Sequence, residues 1–231
     1  MGRGDLSDEQ WSVLEPLLPV AGCGRPAGCR RLQIDGIRYR VRTGCPWRDM
    51  PERFGPWQTI YGLFRRWQRD GTWARLLDAL RTRADAAGRI TWELNVDSTV
   101  CRAHQHAAGA RRSGGEQKEP PGGVRVEPAD HGLGRSRGGW TTKIHAAAEQ
   151  GRKLMIPEKS DHAAHRLARG RHGGRPPKTD WVDFKARHAV ECLFARLKRW
   201  RAVATRYDKL AVRFEATVQI AAMDDWLRPT S

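Results

Sequence analysis

Apolar residues recur at helical spacing through the first third of the chain. Ser7 and Gln10 frame a capping box that opens a helix over Asp8 to Leu18, and Pro19 closes it. A second helix is predicted from Leu32 to Arg42, with Gly44 as its stop. In a third, Trp57, Ile60, Tyr61, Phe64 and Trp67 form one stripe, read as core rather than as a base-stacking platform, and Arg65, Arg66 and Arg69 occupy the remaining surface. A fourth opens after Thr72, turns Trp73, Leu76, Leu77 and Leu80 inward, and ends near Gly88. Beyond Gly88 the period changes. Ile90 to Cys101 is rich in β-branched and apolar residues and reads as a buried strand. Strand patterning returns from Thr141 to Ala148 and from Lys153 to Ile156, with Gln150-Gly151 as the hairpin turn between them. Ala107 to Gly139, rich in Gly, Pro and charge, reads as a long loop. Asp180 is placed to cap a helix that carries Glu191, and Phe214, Val218, Ala221 and Leu227 mark a final helix packed behind it. The pattern predicts an α+β chain that divides near Gly88.

At about 100° per residue, the Glu191 helix gathers Phe184, Arg187, Glu191 and Lys198 on one narrow stripe and leaves Val190, Leu193 and Leu197 for packing. Two readings fit this stripe. Arg187 and Glu191 form an ordinary i, i+4 pair on a solvated face, or the stripe holds a metal and a phosphate. Asp97 raises the same choice inside a strand. A buried carboxylate needs a cation or hydrogen-bond donors to offset its desolvation, whereas strict alternation also allows Val96 and Val100 to face the core with Asp97 and Thr99 in solvent.

Charge points to a polyanionic partner. The chain carries 42 Lys+Arg against 26 Asp+Glu, a net +16. The mean hydropathy is −0.69. No apolar run approaches the roughly 18 residues of a membrane span, so a soluble, cytoplasmic protein with no membrane partner is expected, nucleoid-associated when bound to DNA. The five cysteines are odd in number, widely spread and without a Cys-x-x-Cys pair, which argues against a disulfide framework or a zinc knuckle. Cys101, His104 and His106 are close in sequence, but no fourth ligand is identifiable and thiol and imidazole suit magnesium poorly. The Gly/Pro-rich basic stretch from Arg169 to Lys178 fits either a flexible linker or a minor-groove arm in which Arg175 inserts.

Asp97-Ser-Thr after Val96, together with Phe-x2-Arg-x3-Glu-x6-Lys over Phe184, Arg187, Glu191 and Lys198, resembles the bacterial insertion-sequence transposases of the four/five superfamily, whose core is of the DDE type. The family has Tyr where this chain has Phe184. Leu6 to Trp11, Trp47 to Pro51, Gly132 to Gly139 and Ala204 to Leu210 also read as this family. The resemblance implies a helix-turn-helix-like domain over residues 1–88 that binds terminal inverted repeats, and a ribonuclease-H-like catalytic domain over residues 89–231. It further implies metal-dependent cleavage and strand transfer of double-stranded DNA. Asp97 and Glu191 would hold Mg²⁺ or Mn²⁺, and Arg187 and Lys198 would pair with phosphate. Arg65, Arg66, Arg69 and Arg175 are the other residues expected on DNA.

One departure from the family bears on activity. DDE chemistry holds two divalent ions with three carboxylates. In the family the second Asp ends a later strand, with a helix on either side of that strand. Here the chain passes from Leu154 almost directly to Ile156-Pro-Glu-Lys159, which resembles the family's last strand, so the second Asp and its surroundings are missing near residues 154–156. Asp130, Asp161, Asp180 and Asp183 are the aspartates between Asp97 and Glu191, and none ends a new strand. The expectation is a truncated, catalytically defective copy prone to self-association, the alternative being a non-catalytic DNA-binding remnant that inhibits the full-length enzyme.

Overall fold

The computed structural model describes residues 4–19, 29–88, 95–109, 123–148, 168–169 and 188–227. The predicted strand at 153–156, the turn at 150–151, and Asp180, Phe184, Arg187 and Arg175 lie outside the described residues. Two compact units are distinguished. The larger comprises Met1–Arg89, Thr99–Ile144 and Arg196–Ser231, and the smaller comprises Ile90–Ser98 and His145–Ala195. The larger unit therefore draws residues from both sides of Gly88.

The helices of the larger unit follow the sequence pattern closely. Helix α1 (Asp8–Leu14) carries the capping box, with the Ser7 hydroxyl accepting from the Gln10 amide and the Gln10 side chain accepting from the Ser7 amide. Helix α2 (Arg30–Thr43) ends at Gly44, whose φ of 70° is the left-handed cap that favours glycine. At Gly36 an added Cβ would meet Ile60, Phe54 and Met50 at 3.1–3.2 Å, so a missing side chain lets α2 approach α3 (Trp57–Arg69). On α3, Ile60, Leu63, Phe64 and Trp67 are buried, so most of the aromatic stripe is core. Trp73, which opens α4 (Thr72–Ala86), donates its indole N–H to the Phe64 carbonyl at 3.1 Å and meets Trp67 edge-on at 4.9 Å.

The final helix, here α8 (Ala211–Trp226), packs chiefly on α4 and also on α2 and α3. It buries Val212, Phe214, Ala216, Thr217, Ile220, Ala221 and Met223, more than one apolar stripe, as a central helix must. Buried charges tie it to α2. Arg38 pairs with Asp224 and with Asp35, and Asp35 accepts the Leu6 amide at 2.8 Å. Burial pushes the Asp35 carboxyl up, while the Leu6 amide and Arg38 pull it down.

The sheet runs in the order β2-β3-β1-β4, with β1 (Asn95–Ala103), β2 (Gly134–Ser136), β3 (Gly139–Ala148) and β4 (Thr205–Arg206). Strand β4 is parallel to β1, with Ala103 opposite Arg206, and β2 is antiparallel to β3. A one-turn helix α5 (Gln105–Ala108) follows β1, and α6 (His188–Lys198) and α7 (Arg201–Ala204) precede β4. The architecture is α+β.

The stretch expected to be one long loop from Ala107 to Gly139 is corrected at its described end. It contains β2, which is three exposed residues long and too short to leave a periodic signature. It is also anchored. The Val124 amide bonds the Arg69 carbonyl at 2.8 Å, and Glu127 accepts the Ala211 and Val212 amides at 2.7 and 3.0 Å, capping α8.

Candidate functional site

Asp97 lies within β1. On the same strand Cys101 and Ala103 are buried, whereas Val100 is 48% exposed and Arg102 is exposed. The alternation that turned Val100 toward the core is thus reversed over residues 100–103, where Cys101 and Ala103 are the covered positions. The two alternations were equally compatible with the sequence, and packing on Cys101 and Ala103 decides between them.

Glu191 occupies the first turn of α6 and Lys198 the last, and both are exposed, while Phe194 and Leu197 are buried. An acid at the N-terminus and a base at the C-terminus also suit the helix dipole, an ordinary structural account of both charges. Lys198 does more than end the helix. Burial pushes the Cys101 thiol up, and the Lys198 ammonium pulls it back, so this charge acts on the covered face of β1. Arg187, which would complete the stripe, lies outside the described residues, as does Arg175.

Among the described residues no cluster of three His, Cys, Asp or Glu side chains is close enough to hold a metal. Asp130 instead accepts the Gly132 amide at 2.9 Å in a turn and is exposed. Asp161, Asp180 and Asp183 lie outside the described residues. His104 and His106 stack at 4.9 Å, and His104 also packs on Tyr207 at 5.0 Å. Its Nδ1 accepts the His106 amide at 3.3 Å, a helix-capping role for α5 that uses the lone pair a metal would need.

The three arginines of α3 separate by position. Arg66 and Arg69 are exposed. Arg65 is half-buried, with its guanidinium 6.0 Å from the Tyr61 ring, where Arg213 also donates to the Tyr61 hydroxyl at 3.0 Å. Arg65 is therefore part of the packing between α3 and α8, and two of the three remain as surface cations. Arg66 also lies close enough to Arg30 to push the Arg30 pKa down, after burial, which marks a locally electropositive surface.

The sequence pattern missed a buried polar centre in the larger unit. Arg206 is fully buried, and its guanidinium donates to the carbonyls of Asp208 and Lys209, both at 2.8 Å, and to the Thr142 hydroxyl at 3.2 Å. Asp208 in turn receives Arg40 at 3.2 Å and the Thr217 hydroxyl at 3.1 Å. The centre joins residues of α2, β3, β4 and α8 that no local periodicity connects. Two of the stretches that carry the family resemblance, Gly132 to Gly139 and Ala204 to Leu210, meet at it, with the Gly132 carbonyl 3.5 Å from Arg206.

Comparison with known proteins agrees with that resemblance. Residues 6–77 match a family model described as "Putative transposase of IS4/5 family". An "Uncharacterized protein y4sN" of Sinorhizobium fredii is 38% identical over 112 residues, 48% of this chain and 86% of that protein. The "Insertion element IS402 uncharacterized 16.2 kDa protein" of Burkholderia cepacia is 34% identical over 112 residues, 45% of this chain and 76% of its own length. A "Putative transposase for insertion sequence element IS6501" of Brucella ovis is 42% identical over 52 residues, 22% of this chain and 40% of the relative. No solved structure matches. The chain belongs to the IS4/5 family of insertion-element transposases.

Proposed function

We propose that this chain is a transposase copy that binds the terminal inverted repeats of its insertion element through a helix-turn-helix-like arrangement of its helices, and that its ribonuclease-H-like part lacks the carboxylates needed to cut and join DNA. The observation that carries this reading is an imbalance. The helical unit has a finished core, with Trp73, Phe64, Ile60 and Ile37 at most 1% exposed and Arg66 and Arg69 on its surface, whereas on the catalytic side no cluster of three possible metal donors exists among the described residues.

Those two residues supply hard oxygen donors of the kind Mg²⁺ and Mn²⁺ prefer. Both belong to the smaller unit. Two carboxylates do not fit a two-ion centre, in which a third must share the load, and no cluster of three donors exists among the described residues. Arg187 and Lys198 remain phosphate partners in this reading, and Arg175 a minor-groove contact. The protein acts in the cytoplasm on double-stranded DNA, self-associates, and competes with full-length transposase at the ends.

Binding to labelled duplexes carrying the element's own terminal sequences tests the first half. The ends are expected to be preferred over a scrambled duplex of equal length, and Arg66→Ala with Arg69→Ala to weaken end binding by about tenfold or more, equivalent to about 1.4 kcal/mol per decade. Equal affinity of the wild type for ends and scrambled DNA contradicts the proposal.

A further inference from the structure

The sheet of the larger unit has one covered and one open face. Thr142 and Arg206 mark the covered side, since the first is 4% and the second 0% exposed and they hydrogen-bond to each other. Ala103 pairs with Arg206, and Arg102 therefore shares the opposite face with its own partner, Thr205. By alternation Val100 joins them from β1, and Thr141 and Lys143 from the neighbouring strand β3. Ser136 of β2, whose partner Gly139 is in the same register as Thr141, completes the face. Val100, Arg102, Lys143 and Ser136 are exposed, and Thr141 and Thr205 are half-exposed.

An open sheet face in a soluble protein ordinarily mixes charges of both signs. This one carries Arg102 and Lys143, three hydroxyl residues and no acid, and neither cation is in an ion pair among the described residues. We infer that this face is a second nucleic-acid surface, which binds the phosphate backbone of duplex DNA without reading sequence. The cations supply charge for counterion release, and the hydroxyls supply the neutral donors that commonly accompany phosphate contacts. A second copy of this chain fits the face less well, because Val100 is its one apolar side chain among the described residues and interface centres are depleted in charge. The inference rests on the reading that DNA is the partner, but it concerns a surface distinct from the arginines of α3.

The test compares wild type, Arg102→Ala with Lys143→Ala, and Arg83→Ala as an exposed-arginine control from α4, each checked for native circular dichroism. Binding to a scrambled duplex is measured across a salt series. The double variant is expected to flatten the slope of log K against log salt by about 1.8, or about 0.9 per lost phosphate contact, and to keep the preference for element ends. Arg83→Ala is expected to leave the slope unchanged. An unchanged slope in the double variant, or an equal loss per charge in Arg83→Ala, overturns the inference while leaving end recognition intact. A change in sedimentation coefficient in the double variant with no change in DNA binding would instead identify the face as a contact between copies. Failure of end recognition is separate, and is read from the wild type alone.

Discussion

Arg206→Ala is expected to cost about 3–5 kcal/mol of folding stability, enough to unfold much of the protein, because it removes the single cation on which several buried acceptors depend. The side chain is fully buried against the Phe214 ring, with its guanidinium carbon 5.4 Å from the centroid. Its Nε and Nη2 satisfy the carbonyls of Asp208 and Lys209. Without it, the Asp208 carbonyl and the Thr142 hydroxyl lose a buried donor, at about 1–3 kcal/mol for each buried group left unsatisfied, and the part-buried Lys209 carbonyl loses its donor as well. Burial pushes the Arg206 pKa down, and the charges of Asp208, Glu127 and Asp130 pull it back. Arg206→Lys is expected to rescue little, since an ammonium cannot serve acceptors spread around a planar fork. Urea denaturation of the purified variants measures both losses. A midpoint equal to wild type for Arg206→Ala would mean that the centre contributes nothing to the fold.

Glu127→Ala should cost about 2–4 kcal/mol by uncapping α8. Helix α8 begins without a side-chain cap from Leu210 and without an acidic residue in its first turn. Its first amides are instead satisfied from a segment more than eighty residues upstream, where both Glu127 oxygens accept, Oε1 from Ala211 and Oε2 from Val212. Each such bond to a charged group is worth about 1.5–3 kcal/mol, and the helix dipole adds to the attraction. The buried His131 Nδ1 lies 2.7 Å from Glu127 Oε1, and this contact would also be lost. Glu127→Gln keeps one acceptor and is expected to fall between Ala and wild type. Amide hydrogen exchange locates the effect, with Ala211 and Val212 losing protection before the middle of α8 does. Full protection at both positions in Glu127→Ala would show that another group caps the helix.

These two residues also mark the limit of what the sequence discloses. Helices α1 to α4 were legible because their causes are local: a capping box at Ser7, a left-handed stop at Gly44, and aromatic residues one turn apart from Trp57 to Trp67. Strands β2 and β4, of three and two residues, are shorter than any period and exist because longer neighbours pair with them. The Arg206–Asp208–Arg40 centre was invisible for a related reason, as its members are more than 160 residues apart in the case of Arg40 and Asp208. The candidate site divides along the same line. The positions of Glu191 and Lys198 on one helix follow from helical geometry alone. Which face of β1 is covered depended on what packs there, and Val100 went outward although an apolar residue in a strand suggests the opposite. The partial burial of Arg65 was not legible for the same reason, because a distant residue, Arg213, recruits Tyr61 beside it.

The most direct measurement of the central claim uses the purified, folded protein with a supercoiled plasmid that carries its gene and flanking DNA, in Mg²⁺ or Mn²⁺, beside Asp97→Ala. Specific occupancy of the element's ends, with no cleavage by either protein, is expected. Cleavage at the ends by the wild type that disappears in Asp97→Ala would contradict it, since some further carboxylate would then complete the site.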